Sequence, residues 1–355
     1  MKAKHTATAF AILAAAFYAL SIPLSKLLLL RHLAPTMLAA FLYLGAGLGM
    51  MLCGIVGKSF EKAQKKERLT KKELPYTIAM VVLDIAAPVL LMFGIAETNS
   101  ANVSLLSNFE IVATSVIALL LFREVVSKRL WLAIALLTAA SILLSFEGKD
   151  AFVFNKGSLL VLGACVCWGF ENNCTKKISN KSSEEIVTIK GCFSGMGSLL
   201  LAFLLREPLP ELKWIAAASA LGFIAYGLSI NFYIMAQKEL GAAKTSAFYS
   251  VAPFLGVAFS LLLLGERPQI QFYIALSIMA MSTVLLAKDS IDLQHTHSHE
   301  HMHTHEHRHG SVVHTHLHSH VHSHLHIHEN GSEGHMHEHH ETMNHNHSHA
   351  GVQEE

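Results

Sequence analysis

Tyr18-Ala19-Leu20-Ser21-Ile22-Pro23-Leu24-Ser25-Lys26 is echoed 150 residues later by Trp168-Gly169-Phe170-Glu171-Asn172-Asn173-Cys174-Thr175-Lys176. The aromatic-small start and the closing lysine repeat. At the same shift Gly45 and Gly47 meet Gly195 and Gly197. Farther along, the shift becomes 142: Glu97-Thr98-Asn99-Ser100-Ala101 meets Glu239-Leu240-Gly241-Ala242-Ala243, and Phe122-Arg123-Glu124 meets Leu264-Gly265-Glu266. Two steady shifts, over several segments in one order, argue for duplicated halves. Duplicated membrane halves are a common architecture of secondary transporters.

The composition around these segments is that of a membrane protein. Charged residues make up only 15% of the chain, short of the quarter usual in soluble proteins, and apolar residues 52%. Apolar runs of about 20 residues, enough to cross a bilayer, recur up to residue 290. The first, Ala7 to Leu30, is too long for a cleaved signal and has a copy at 157–178, so it reads as a mature helix. The five cysteines lie inside such runs and read as small buried hydrophobes, with no disulfide framework. Spans are expected near 8–30, 34–57, 75–96, 99–122, 130–147, 157–178, 186–206, 214–237, 241–264 and 270–287.

Basic residues orient these spans. With both termini cytoplasmic, 19 lysines and arginines fall inside and 6 outside, seven of the 19 in the loop Lys58 to Leu74. Five spans per half is an odd number, so the second half inserts upside down. The expected fold is an all-α integral membrane protein of ten transmembrane helices in two inverted five-helix repeats. The repeats cover 1–148 and 149–290, and 291–355 follow as a cytoplasmic tail.

The duplicated ten-span layout, Leu264-Gly265-Glu266 and the Phe122-Arg123-Glu124 echo resemble the drug/metabolite transporter superfamily, EamA type, over roughly residues 7–288. Ser107-Asn108-Phe109-Glu110, Trp168 to Asn173 with Thr175 to Ser179, and Thr245 to Phe254 look like one bacterial subgroup of it. The resemblance implies a permease of small solutes, and exporters of amino acids and other metabolites are among its members. One departure stands out: Ile111 occupies the position of Pro253 in the second half, so only one half has a kink-forming proline there.

Ionisable groups at bilayer depth are costly and by default face a bundle interior or cavity. Asp84 is central in span 3, Glu110 in span 4 with Asn108 two residues before it, and Glu171 lies in span 6 beside Asn172 and Asn173. Lys190 opens span 7. Lys26, near the outer end of span 1, is long enough to snorkel to the interface. Adjacent asparagines point about 100° apart on a helix, so one of Asn172 and Asn173 is expected to bond between helices. A carboxylate out of water can take up and release a proton as access alternates, which suits proton coupling or cation recognition. Tyr226, Asn231, Tyr233, Tyr249 and Ser250 could add contacts to a polar substrate. The expected path is thus Glu110, Glu171, Asp84, Asn108, Asn172, Lys190, Tyr226 and Tyr249. Pro88 is expected to interrupt span 3 and Pro253 span 9.

From Gln294 the composition changes. Histidine takes every second position at His295, His297, His299, His301, His303, His305, His307 and His309, and again at His314, His316, His318, His320, His322, His324, His326 and His328. A third cluster runs from His335 to His349. The tail lacks apolar content and is expected to be disordered. Imidazole suits Zn, Ni, Co and Cu, so the tail is a metal ligand set. The only other histidines, His5 and His32, lie outside the membrane core.

No phosphate-binding loop and no nucleophile–base arrangement is present, so the chain is read as neither an ATPase nor another enzyme, and no cofactor is required. The first expectation is a gradient-driven exporter of a small metabolite or amino-acid-like solute, multi-pass in a bacterial plasma membrane. The second is a divalent-metal exporter whose tail collects ions. The third is a metal-sensing membrane protein that transports nothing. The partners expected are the lipid bilayer and a small-molecule or ion substrate, with no nucleic acid. The oligomeric state is left open.

Overall fold

A computed structural model describes every residue except 1, 58–68, 123–126, 146–154, 179–182, 241, 293, 310–311 and 328–355. Most of the basic Lys58–Leu74 loop, Arg123, Glu124 and the third histidine cluster lie outside the described residues. From Lys2 to Asp292 the described chain contains helices and short connections. In lipid a helix satisfies its own backbone, which is why long apolar runs adopt it.

The first half holds α1 (Lys2–Ala19), α2 (Ser21–Leu30), α3 (Pro35–Gly57), α4 (Leu74–Glu97), α5 (Ser100–Leu106), α6 (Phe109–Phe122) and α7 (Lys128–Ser145). The second holds α8 (Lys156–Lys177), α9 (Ser183–Ile189), a π-helical stretch Lys190–Ser194, α10 (Gly195–Leu204) and α11 (Leu212–Gly222). A second π-helical stretch, Phe223–Leu228, leads into α12 (Ser229–Leu240), α13 (Ala242–Tyr249), α14 (Ala252–Leu264) and α15 (Ile270–Asp292). Among the described residues, eight helical segments are long and apolar enough to cross a membrane. α8 falls short because Glu171, Asn172, Asn173 and three lysines lower its hydropathy, and α13–α14 because a break divides them. The outer surface is apolar: Leu120, Leu204, Leu262 and Ile270 are 70–80% exposed, as suits a lipid solvent.

Two expectations about breaks are corrected. Pro88 lies inside a continuous α4 and does not interrupt it. It removes one N–H, the one that would reach the Asp84 carbonyl, while neighbouring turns hold the helix together. Conversely, the first half breaks between α5 and α6 without any proline. The backbone tightens there to i→i−3 bonds, Asn108 N–H to the Leu105 carbonyl (3.0 Å) and Glu110 N–H to that of Ser107 (3.2 Å), and side chains add to them: Ser107 Oγ donates to the Val103 carbonyl (2.9 Å) and Asn108 Nδ2 to that of Leu105 (3.0 Å). In the second half Pro253 opens α14, a position where its missing N–H costs nothing.

Charged side chains distant in sequence close the ends of helices. Glu266 accepts from the Ser100 and Ala101 N–H groups, both at 2.8 Å, and Glu207 from those of Thr36 (3.3 Å) and Met37 (2.9 Å). Lys26 does not snorkel: its ammonium donates to the Ile95, Ala96 and Thr98 carbonyls at 2.6, 3.2 and 2.9 Å, closing the end of α4. A helix start carries unpaired N–H groups and positive partial charge, and a helix end the reverse. Glu266→Ala should therefore cost about 1–2 kcal/mol, the worth of a strong N-cap. A thermal melt in detergent checks this, and an unshifted midpoint would show that the contact contributes nothing.

In the packing, α4 lies along α8, α1 along α12, α6 along α8, α14 and α13 against α1, and α7 along α15. α3 is central, touching α10, α11 and both π-helical stretches. Its glycines admit the neighbouring backbones: a Cβ on Gly47 would sit 2.6 Å from the Cys192 nitrogen and 2.7 Å from the Gly191 carbonyl carbon.

The tail, composed as a segment unable to fold alone, has extended backbone. Gln294–His309 (β1) and Val312–Ile327 (β2) pair antiparallel, with His295 opposite His326. Strict alternation has the strand period of two. The tail's side chains lie outside the described residues.

Candidate functional site

The polar residues scattered along the sequence converge where α4, α6, α8 and the first π-helical stretch meet. Lys190 is the first residue of that stretch, whose wider turn is a feature often found at functional positions. Its ammonium lies 2.8 Å from Glu171 Oε1 and 3.4 Å from Asp84 Oδ2. Both carboxylates are buried, 2% and 1% exposed, while the Lys190 side chain keeps 25%. Tyr43 donates to Asp84 Oδ1 (3.3 Å), and the Thr175 hydroxyl donates to Glu171 Oε1. A buried carboxylate persists only when paired and hydrogen-bonded, and these contacts supply that.

Glu110 joins this cluster through Asn172, the residue after Glu171 in α8. Its position is different in kind from theirs. It lies in the first turn of α6, at the break, where the helix dipole favours an anion. Its described hydrogen bond comes from a neutral amide, Asn172 Nδ2 at 2.7 Å, which also reaches Thr114 Oγ1 at 3.2 Å. Asn173, on the neighbouring face, donates to the Thr114 carbonyl (3.1 Å) and to that of Gly169 (2.8 Å). One interhelical bonder was expected and both asparagines of α8 act so: Asn172 bonds the Glu110 carboxylate of α6 and Asn173 the Thr114 carbonyl of the same helix. Asn108 is buried, 3% exposed, and serves the break.

Beside this cluster runs a row of tyrosine rings. Ring centroids lie 5.8 Å apart for Tyr43 and Tyr226, 5.9 Å for Tyr226 and Tyr18, 5.8 Å for Tyr18 and Tyr249, and 5.1 Å for Tyr249 and Tyr233. Five of the seven tyrosines in the chain stand in this row, which makes it a built feature rather than incidental core. Tyr18, Tyr226, Tyr233 and Tyr249 are partly exposed although deep in the bundle.

Sequence reasoning found Asp84, Glu110, Glu171, Asn172, Lys190, Tyr226 and Tyr249, which the structure brings together. It missed Tyr18 as a site residue, although Tyr18 marks the repeat, and it missed Tyr43, Thr114 and Thr175. The one available signal was the aromatic-small pair at equivalent positions, since Tyr18 and Trp168 flank the site from the two halves. Among the described residues no group of three His, Cys, Asp or Glu is placed to hold a metal ion. The metal reading therefore rests on the tail.

Apolar helices, broken spans and a charged interior cluster are the features of a multi-pass membrane protein. Comparison with known proteins makes the class specific. The chain belongs to the EamA-like transporter family, which it matches twice, at residues 5–146 and 155–288. It is 24% identical over 271 residues to an uncharacterized transporter of Methanothermobacter thermautotrophicus, covering 72% of this chain and 78% of that one. It is 21% identical over 238 residues to the uncharacterized transporter YyaM of Bacillus subtilis, covering 64% and 77%. A solved crystal structure covers 81% of this chain and 98% of its own with a TM-score of 0.59. At 15% identity that likeness is one of fold alone.

Proposed function

We propose that this protein is a gradient-driven permease that exports a small metabolite or amino-acid-like solute by alternating access. The observation that carries the reading is Glu110: a carboxylate at a helix break inside the bundle, held by an amide and set beside a paired Asp84–Lys190–Glu171 cluster. Broken helices around a central site are how secondary transporters bind their cargo.

The packing supports two related halves, which we take as inverted repeats of five spans each, bounded at 1–148 and 149–290 with both termini cytoplasmic. Exchanging the halves turns the α4–α8 contact into α12–α1, and α6–α8 into α14–α1, while α7–α15 returns to itself. A two-fold relation between the halves produces this pattern, and an odd number of spans per half would put its axis in the membrane plane. The site lies on the seam, so rocking one half against the other would expose it to each side in turn.

The histidine tail is a separate unit in this reading, an appended collector of Zn, Ni, Co or Cu. Removing 294–355 should abolish metal binding by the purified protein and leave solute flux intact.

A tolerance screen of amino acids, metabolites and metals in an overexpressing host would identify cargo, followed by flux in proteoliposomes. Glu110→Gln should then reduce gradient-coupled flux to background. Undiminished coupled flux in that variant would remove Glu110 from the mechanism.

A further inference from the structure

We infer that the tail is a metal-closed hairpin, in which two neighbouring histidine rungs of β1 and β2 grip one divalent transition-metal ion with four imidazoles. The inference rests on the reading of the tail as a metal collector and adds the architecture of its sites.

The register comes first. β1 and β2 pair so that His295 stands opposite His326, His301 opposite His320 and His307 opposite His314. Seven such rungs follow one another, each two residues from the next. Directly opposite residues of an antiparallel pair share a face, as do residues two apart on one strand. All seven rungs therefore fall on one face of the ribbon. The other face takes the intervening residues, such as Ser298 opposite Ser323 and Thr304 opposite Leu317.

The sequence carries a matching change of phase. Within each run the histidines are two apart, but the step from His309 to His314 is five. Gly310-Ser311, between the runs, is a dipeptide of the kind two-residue hairpin turns use. A two-residue turn sets His309 opposite Val312 and so His307 opposite His314. An even step would have set every histidine opposite another residue type. A slip of two residues keeps histidine opposite histidine, whereas a slip of one moves the two sets to opposite faces. The odd step has a use in a hairpin and none in an unpaired string of ligands.

The spacing suits a metal ion. Opposite Cβ atoms lie about 4.5–5.5 Å apart, and the next rung is about 7 Å along. Two neighbouring rungs thus place four imidazole-bearing positions around one point. Zinc takes four ligands in a tetrahedron, with Zn–N distances of about 2.0–2.1 Å. A two-stranded hairpin is marginal alone in water, so the ion supplies the stability that the strands lack, and binding closes the ribbon.

The test is zinc titration of the full-length protein in detergent against a chromophoric chelator, with hydrogen exchange resolved over peptides of 294–327. Two deletions change the phase without removing a histidine. Deleting Val312 makes the step from His309 to His314 even, and deleting Val312 and Val313 together makes it odd again. In the single deletion a three-residue turn would restore the pairing only by placing Val313 in the left-handed region, where a β-branched residue is strained. Zinc should bind the wild type and the double deletion alike and slow exchange along both strands. The single deletion should bind zinc at least about tenfold more weakly and keep fast exchange, because the ligands of the two strands no longer act together. The exchange measurement reads the hairpin itself, since the third histidine cluster is intact in all three proteins. Both deletions lie beyond Asp292, the end of the helical core, so folding of the membrane part is not at stake. Zinc that binds all three with equal affinity and equal protection would overturn the hairpin and leave the collector standing. So would zinc that binds the wild type without slowing exchange, or a double deletion as weak as the single one. No zinc binding in any of the three would overturn both readings.

Discussion

Lys190→Met should cost this protein its fold, and neutralising the two carboxylates as well should restore it. Lys190 is the ion-pair partner seen for Asp84 and Glu171, which are 1% and 2% exposed. Removing one member of a buried pair leaves a charge with neither water nor partner and costs about 3–5 kcal/mol. Here two carboxylates lose the same partner. That loss is a large share of a typical stability of about 5–15 kcal/mol. The single variant should therefore give little monodisperse protein and a markedly lower melting point. The triple variant K190M/D84N/E171Q replaces the charged set with neutral groups of similar shape and should melt close to the wild type. A single variant that melts with the wild type would show that the carboxylates do not depend on Lys190. A triple variant as unstable as the single one would show that Lys190 matters for packing rather than charge.

Gly47→Val should be comparably severe for a different reason. A Cβ at that position would lie 2.6 Å from the Cys192 nitrogen and 2.7 Å from the Gly191 carbonyl carbon. These are backbone atoms of the π-helical stretch, so no rotamer change can relieve the clash. Overpacking usually costs about 1–3 kcal/mol where side chains can yield; backbone contact allows less relief and should exceed that. α3 would have to move away from the stretch that carries Lys190, so the charged cluster would be disturbed too. Gly163 is the control: its nearest neighbour would be the Leu90 Cδ1 at 3.6 Å, an ordinary contact. Gly163→Ala should melt with the wild type. The comparison fails if Gly47→Val folds and melts as Gly163→Ala does.

Much of this was legible in the chain. Apolar runs with short connections gave the helices, because a bilayer leaves a backbone few other options. The same constraint made Asp84, Glu110, Glu171 and Lys190 conspicuous, since a charge in an apolar run needs a reason. The breaks were less legible. Pro88 looked like a break and is not one, because a single missing N–H is tolerated within a packed helix. The break at Ser107–Asn108 carried no proline and was invisible: the backbone tightens there to i→i−3 bonds, with the Ser107 and Asn108 side chains sharing the same nearby carbonyls. Tyr18 and Tyr43 were invisible as site residues, since a tyrosine in a membrane span reads first as helix-helix packing.

The sequence by itself determined a duplicated chain of apolar helices and the polar residues that must face inward, because both follow from composition and order along one dimension. Only the tertiary structure decided how those residues are shared out. It assigned Lys190 to Asp84 and Glu171, Lys26 to the end of α4, and Asn172 to Glu110, and it joined the tyrosine row to Asp84 through Tyr43. Charge pairing depends on distances of a few ångströms between helices far apart in sequence, and a sequence does not contain those distances. The repeat of Tyr18 and Trp168 marked the frame on which both halves were built; packing decided that the chemistry would lie between them.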